Sequence, residues 1–163
     1  MIVIRDFQAG DAPALRAVFE SAIHEVAIRD YTPEQVDAWA PREHDAADWA
    51  EHMQDLAPFV AERGGEIVAY ADVQPDGYID HFFVSAAAAG QGVGGALMRR
   101  LLARAHELGL PGLTSNVSLT AQPFFAHFGF EIVEQRVVQV RGAELRNAAM
   151  RRELPQASSV AKT

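Results

Sequence analysis

The sequence predicts a mixed α/β fold in which a largely antiparallel twisted sheet is flanked by helices. Three observations carry this. Apolar runs at 58–62, 66–73 and 78–84 are separated by Arg63-Gly64-Gly65 and Pro75-Asp76-Gly77, the punctuation of an antiparallel meander. The chain then changes period: Leu97, Leu101, Ala105 and Leu108 recur at helical spacing, opposite Arg99, Arg100, Arg104 and Glu107. Finally, Phe130 to Val140 and Leu145 to Leu154 read as a closing antiparallel pair.

The remaining elements follow in order. Ile2 and Ile4 alternate with polar residues and open the chain as a strand. Asp11 is placed to cap a first helix whose buried stripe is Leu15, Val18, Phe19, Ala22, Ile23 and Val26. Thr32-Pro33-Glu34-Gln35 starts a second helix, with Thr32 as cap, Pro33 as first helical residue and Gln35 closing a capping box; it ends near Trp39, before Pro41. Ala46 to Leu56 is a third helix. After the long helix, Gly109 is a stop, Leu113 to Ser118 a strand, and Ala121 to Phe128 a short helix stopped by Gly129. Residues 1–154 are expected to form a single domain, and 155–163 a flexible tail.

Bulk properties narrow the function classes. The 163 residues include no cysteine, so disulfides, thiolate metal sites and cysteine nucleophiles are excluded. No apolar run approaches the roughly 20 residues of a membrane span, and the N-terminus lacks a signal-peptide pattern; a cytoplasmic location is expected. The net charge of −8 is unevenly spread: residues 1–80 hold 17 Asp/Glu against five Arg, whereas residues 81–163 are net basic. A single lysine, Lys162, does not make a nucleic-acid footprint, so no nucleic-acid partner is expected.

Gly90-Gln91-Gly92-Val93-Gly94-Gly95 lies between a strand ending at Val84 and the long helix. Such a junction offers unpaired N–H groups and a positive dipole end, and glycine lets the backbone close on an anion. The segment therefore reads as a phosphate cradle. A P-loop would need Gly-Lys-Ser/Thr where Gly95-Ala96-Leu97 stands. The dinucleotide spacing Gly90-x-Gly92-x-x-Gly95 is met, but Leu113–Val117 supplies no acidic residue and the preceding strand belongs to a meander.

Two segments carry a resemblance. Ile79-Asp80-His81-Phe82-Phe83-Val84 with Ala89–Met98, and Ala121-Gln122-Pro123-Phe124-Phe125-Ala126-His127-Phe128-Gly129-Phe130, resemble the Gcn5-related N-acetyltransferase (GNAT) superfamily. That resemblance implies a splayed pair of central strands ending at Val84 and Asn116. It implies acetyl-CoA as cosubstrate and no metal. Phe82, Phe83 and Val84 would meet the pantetheine arm; Gln91, Gly92, Val93, Gly94 and Gly95 would bind pyrophosphate through N–H groups, within the loop Ala89–Gly95 that includes Gly90; Asn116, Phe124 and Phe125 would line the other side. A homodimer through the C-terminal strands is a common family assembly. Two positions depart from the family pattern: Ala89 replaces the usual Arg or Gln, and Phe125 replaces a common tyrosine acid.

The implied reaction is attack of an amine on the thioester, which requires a base or a water chain. Asp80 and His81 are adjacent on the predicted strand and so are expected to face opposite sides of it. His81 has the pKa range suited to a base; His24, on the first helix, and His127, on the second cofactor helix, are further candidates. Tyr78 and Ser118 offer hydroxyls, and Asp30, Tyr31 and Trp39 stand where the family builds an acceptor wall. His44, Glu51 and His52 lack a metal-helix spacing, so no metal is expected. The acceptor expected is a small-molecule amine. A non-catalytic acyl-CoA module and a protein or peptide N-acetyltransferase stay open as alternatives.

Overall fold

A computed structural model describes residues 1–155; the expected tail from Gln156 onward lies outside the described residues. β1 (Ile2–Asp6) leads through a 3-10 turn into α1 (Ala12–Ser21). α2 (Pro33–Trp39) and α3 (Ala46–Leu56) follow, then β2 (Phe59–Arg63) and β3 (Glu66–Ala71). The centre of the chain supplies β4 (Tyr78–Ile79), β5 (Phe82–Val84), α4 (Val93–Glu107) and β6 (Gly112–Ser118). It closes with α5 (Gln122–His127), β7 (Glu131–Val140) and β8 (Ala143–Glu153). Among the described residues no helix is long and apolar enough to cross a membrane.

The strands form two four-stranded groups, β1-β2-β3-β5 and β4-β6-β8-β7. Every pairing is antiparallel except the short β4–β6 contact. β5 pairs with β3 alone, and β4 meets β6 only at Thr114 and Ser115. Beyond Ile79 the two groups therefore diverge, and the facing edges of β5 and of Asn116–Ser118 are not joined to each other. Gly77 sets the point of contact: a Cβ there would lie 2.4 Å from the Gly112 carbonyl oxygen, and its φ of +88° is unfavourable for other residues.

Alternation along the central strands builds two cores. Val60 and Tyr70 face α1, α2 and α3, packing with Leu15, Phe19, Ile23 and Met53. Their neighbours Ala61 and Ala69 face α4 and α5, with Leu97, Met98, Leu101 and Phe125. A strand buried on both faces reads as a continuous apolar run, which is what Phe59–Ala61 and Val68–Ala71 show. Removing each fully buried Leu or Met side chain of α4 from water contributes about 1.5–3 kcal/mol.

Several helix signals were legible locally. Thr32 accepts from the Gln35 N–H at 3.2 Å while the Gln35 side chain accepts from the Thr32 N–H, the expected capping box. Asp11 differs from expectation. It precedes α1, yet its carboxylate caps no helix N–H of α1; it accepts from the Gln8 N–H and from the Arg5 guanidinium, tying β1 to α1. The first helix also does not run on as regular α-helix: Ala22–Val26 forms a π turn and Ala27–Arg29 a 3-10 turn. The largest departure is in the expected strand 78–84, which is interrupted at Asp80 and His81.

Candidate active site

The glycine loop forms one end of an open cavity of about 470 Å³. Gly92 is the N-cap of α4, at φ +86°, and its carbonyl accepts the first intrahelical bond from Ala96 N–H at 3.1 Å. The first-turn N–H groups of Val93, Gly94 and Gly95 have no intrahelical acceptor, and no side chain caps them. A 15-residue helix thus points an uncapped, electropositive end into the cavity. Gly94 lies under Phe124: a Cβ on it would be 3.1 Å from that ring. The π turn supplies part of the opposite wall, through Ala22, Ile23 and Val26.

Two arginines stand at this loop that the sequence pattern did not single out. The Arg63 guanidinium donates to the Gln91 side-chain oxygen, and Gln91 in turn donates to the Ala87 carbonyl. The Arg99 guanidinium lies against Gly95, 3.3 Å from where a Cβ would be, one helical turn on. Ala89, Gly90, Gly92, Gly94, Gly95, Phe82, Phe83, Val84, Phe124 and Phe125 all line the cavity. The side chain of Val93 is buried in the core, and Asn116 lies elsewhere.

A second cavity, of about 420 Å³, opens on the other side of β5. Asn116 is on its wall, donating to Tyr78 Oη at 3.2 Å and accepting from Arg136 at 3.0 Å. The interrupted strand forms its deepest part. Asp72, fully buried just beyond β3, accepts from the Asp80 N–H at 3.1 Å, the His81 N–H at 2.6 Å and the Gln74 amide at 2.7 Å. This carboxylate takes the place of ladder partners, so Asp80 and His81 leave the strand path. Their side chains consequently share one cavity instead of facing opposite sides as strand alternation requires. Burial pushes the Asp72 carboxyl up to about 6, against the pull of its three N–H donors.

His81 is itself buried, with Tyr70 Oη 2.9 Å from its Nδ1. Burial, reinforced by neighbouring His52, pushes its pKa down to about 3, so the ring is neutral at pH 7. Burial raises the Tyr70 hydroxyl well above its usual range. His52, from α3, meets His81 edge to face with ring centroids 5.2 Å apart. His24 and His127 are not brought to either cavity. His24 Nε2 bonds the Ala40 carbonyl at 2.7 Å, in the contact between the first helix and α2. His127 is exposed at the end of α5, against Phe128.

The two cavities meet. Trp39, Phe82, Phe83, Ser118, Ala121 and Phe125 line both. Ser118 is the hydroxyl at this junction; its Oγ accepts from the Ala121 N–H at 3.2 Å and keeps its own proton free to donate. Each cavity also holds a buried oxygen with no hydrogen-bond partner among the described residues: Thr120 Oγ1 on the glycine-loop side and Asn147 Oδ1 on the other. Such atoms are costly to bury alone and fit a site that a ligand completes. Neither was visible in sequence, since their value comes from burial.

The fold agrees with that of known proteins. The family model described as "Acetyltransferase (GNAT) domain" matches residues 27–154. The chain is 35% identical over 150 residues to the uncharacterized N-acetyltransferase YafP of Escherichia coli K12, covering 92% of this chain and 95% of that one. A crystal structure of a GCN5-related N-acetyltransferase from Rhodopseudomonas palustris superposes with a TM-score of 0.88 at 30% identity, covering 93% of this chain and 95% of that chain. YncA of Salmonella typhimurium, solved with its cofactor acetyl-CoA, shares the fold with a TM-score of 0.70 at 20% identity, over 96% and 95% of the two chains.

Proposed function

The chain belongs to the GNAT acetyltransferase family and is an acyltransferase, and from that premise we propose that it moves an acetyl group from acetyl-CoA directly to the amine of a small molecule. The observation that carries this is the meeting of the two cavities across Phe82, Phe83, Ser118 and Phe125, with an uncapped helix end in one and the Asp80 cluster in the other. The splayed edge of β5 has room for an extended pantetheine arm to pair with it. Pyrophosphate then rests on the N–H groups of Gln91, Gly92, Val93, Gly94 and Gly95, and Arg99 and Arg63 supply the positive charge that Ala89 does not.

The acceptor nitrogen approaches through the second cavity. Asp80 takes the proton of the ammonium, directly or through water, while His81, neutral, shapes the site beside it. The nitrogen lone pair attacks the thioester carbon and the C–S bond breaks; the second proton shed by the nitrogen reaches the thiolate through Ser118, which gives its own proton to the sulfur and takes this one, or through solvent. Phe125 has no proton to give, and a thiolate is stable enough to leave without a strong acid. His24 and His127 have no part in this reading.

Calorimetric titration with acetyl-CoA, paired with thiol release over a panel of small amines, tests it. Wild type should bind and release thiol, and Gly92→Asp should lose binding. Failure of wild type to bind acetyl-CoA overturns the reading. Binding without thiol release from any amine points instead to a module that holds acyl-CoA without turnover.

A further inference from the structure

We propose that His52, Asp80 and His81 form a binding site for one divalent transition-metal ion, Zn²⁺ by preference. This goes beyond acetyl transfer: an ion there would occupy the Asp80 carboxylate, so the metal-bound state and the state in which Asp80 acts as base exclude each other. The three residues each offer one ligand atom, and these atoms lie within 4.8 Å of one another. No other group of His, Asp and Glu among the described residues does so. Two imidazole nitrogens and one carboxylate oxygen are the donor set of open, three-ligand zinc sites.

The surroundings favour coordination. His81 is held from behind: Tyr70 Oη lies 2.9 Å from its Nδ1, which leaves Nε2 as the nitrogen without a partner among the described residues, and metal binding takes the tautomer in which Nδ1–H donates to the Tyr70 oxygen. The backbone N–H groups of Asp80 and His81 are both fixed on the Asp72 carboxylate, which orients two of the three ligands together and adds negative charge beneath them. The Asp80 carboxylate and the His52 ring nitrogens have no hydrogen-bond or ion-pair partner among the described residues, so no existing bond has to break. Arg16, which also lines the cavity, is already paired: Glu20 meets it at 2.9 Å and it donates to the Pro41 carbonyl.

Tetrahedral zinc needs ligand atoms about 3.4 Å apart. His52 and Asp80 are exposed and close the remaining distance by side-chain rotation, whereas buried His81 stays in place. The fourth position then faces the cavity, open to water or to a donor atom of a bound small molecule.

The test is metal binding by the full, untagged chain after chelator treatment. Isothermal titration with Zn²⁺ should give one ion per chain, and Co²⁺ should give the intense visible absorption of a four- or five-coordinate site. His52→Ala and Asp80→Asn, both at exposed positions, should each weaken Zn²⁺ binding by about a hundredfold or more, and Tyr70→Phe by about tenfold. His44→Ala, outside the cluster, should change nothing. Circular dichroism of the variants confirms that they are folded. Absence of stoichiometric binding overturns the proposal; so does binding that survives both the His52→Ala and the Asp80→Asn substitutions.

Discussion

The hydroxyl of Tyr70 sits 2.9 Å from Nδ1 of His81, and both groups are shut away from solvent between α1, α3 and the sheet. One bond thereby determines which nitrogen of His81 is free. It also joins the C-terminal end of β3 to the point where the expected strand 78–84 breaks. Tyr70→Phe keeps the ring and leaves His81 Nδ1 buried without a partner. The expected cost is about 1–2 kcal/mol, read as a lowered urea midpoint with an unchanged denaturant slope. Wild-type stability in that variant would show that the bond contributes nothing net.

Asp72 matters more to the shape of the site. Its carboxylate accepts from three N–H donors, two of them backbone. Asp72→Ala abandons all three and should destabilise the chain by about 3 kcal/mol. Asp72→Asn retains one oxygen acceptor and should fall between. Equal stability of the alanine variant and wild type would contradict the role given to this residue.

Ser118 is the hydroxyl on the shared wall of the two cavities. If it protonates the departing thiolate, Ser118→Ala lowers kcat by about tenfold, with KM for acetyl-CoA within about twofold of wild type. A fall confined to KM would make it a binding residue instead. Steady-state thiol release separates the two.

Arg99 lies against Gly95 at the uncapped end of α4. Arg99→Ala should weaken acetyl-CoA binding by about 1 kcal/mol, roughly fivefold, because the residue is exposed and screened. The salt dependence of affinity should flatten in the variant. A variant with unchanged affinity at low ionic strength would remove Arg99 from the phosphate site.

The Arg5–Asp11 pair gives a pH prediction. Arg5 hydrogen-bonds the Asp11 carboxylate at 2.7 and 2.9 Å and, with the Gln8 N–H, holds its pKa below the usual carboxylate range. A depressed folded pKa means the stabilisation is present above the unfolded value, about 3.9, and is lost as pH falls through the folded value. With Arg5 partly exposed, Asp11→Asn should cost about 1 kcal/mol near neutral pH. That deficit should be smaller at about pH 3, below the unfolded value, than at neutral pH. Denaturation curves at the two pH values check the sign; a deficit that grows in acid would refute it.

Much of the molecule was readable in the chain because its signals are local. Thr32, Pro33 and Gln35 set the start of α2 through contacts within one turn. The span of α3 follows from the Asp45 cap and the spacing of Trp49, Met53 and Leu56. The glycine loop announced its position before α4 because backbone freedom and a helix end are properties of adjacent residues. What the chain could not show depends on partners far apart in sequence. Strand alternation assigns Asp80 and His81 to opposite faces, and that rule fails here because Asp72, eight and nine residues earlier, draws both N–H groups out of the ladder. A search for metal-ligand spacing along α3 passes over His52, since its companions come from another element. Arg63 and Arg99 reach the loop from a hairpin and from the next helical turn. Local periodicity therefore determined the elements and the place of the glycine loop before α4. Only tertiary packing, by burying one carboxylate and bringing separate elements to a shared cavity, decided which side chains face the chemistry.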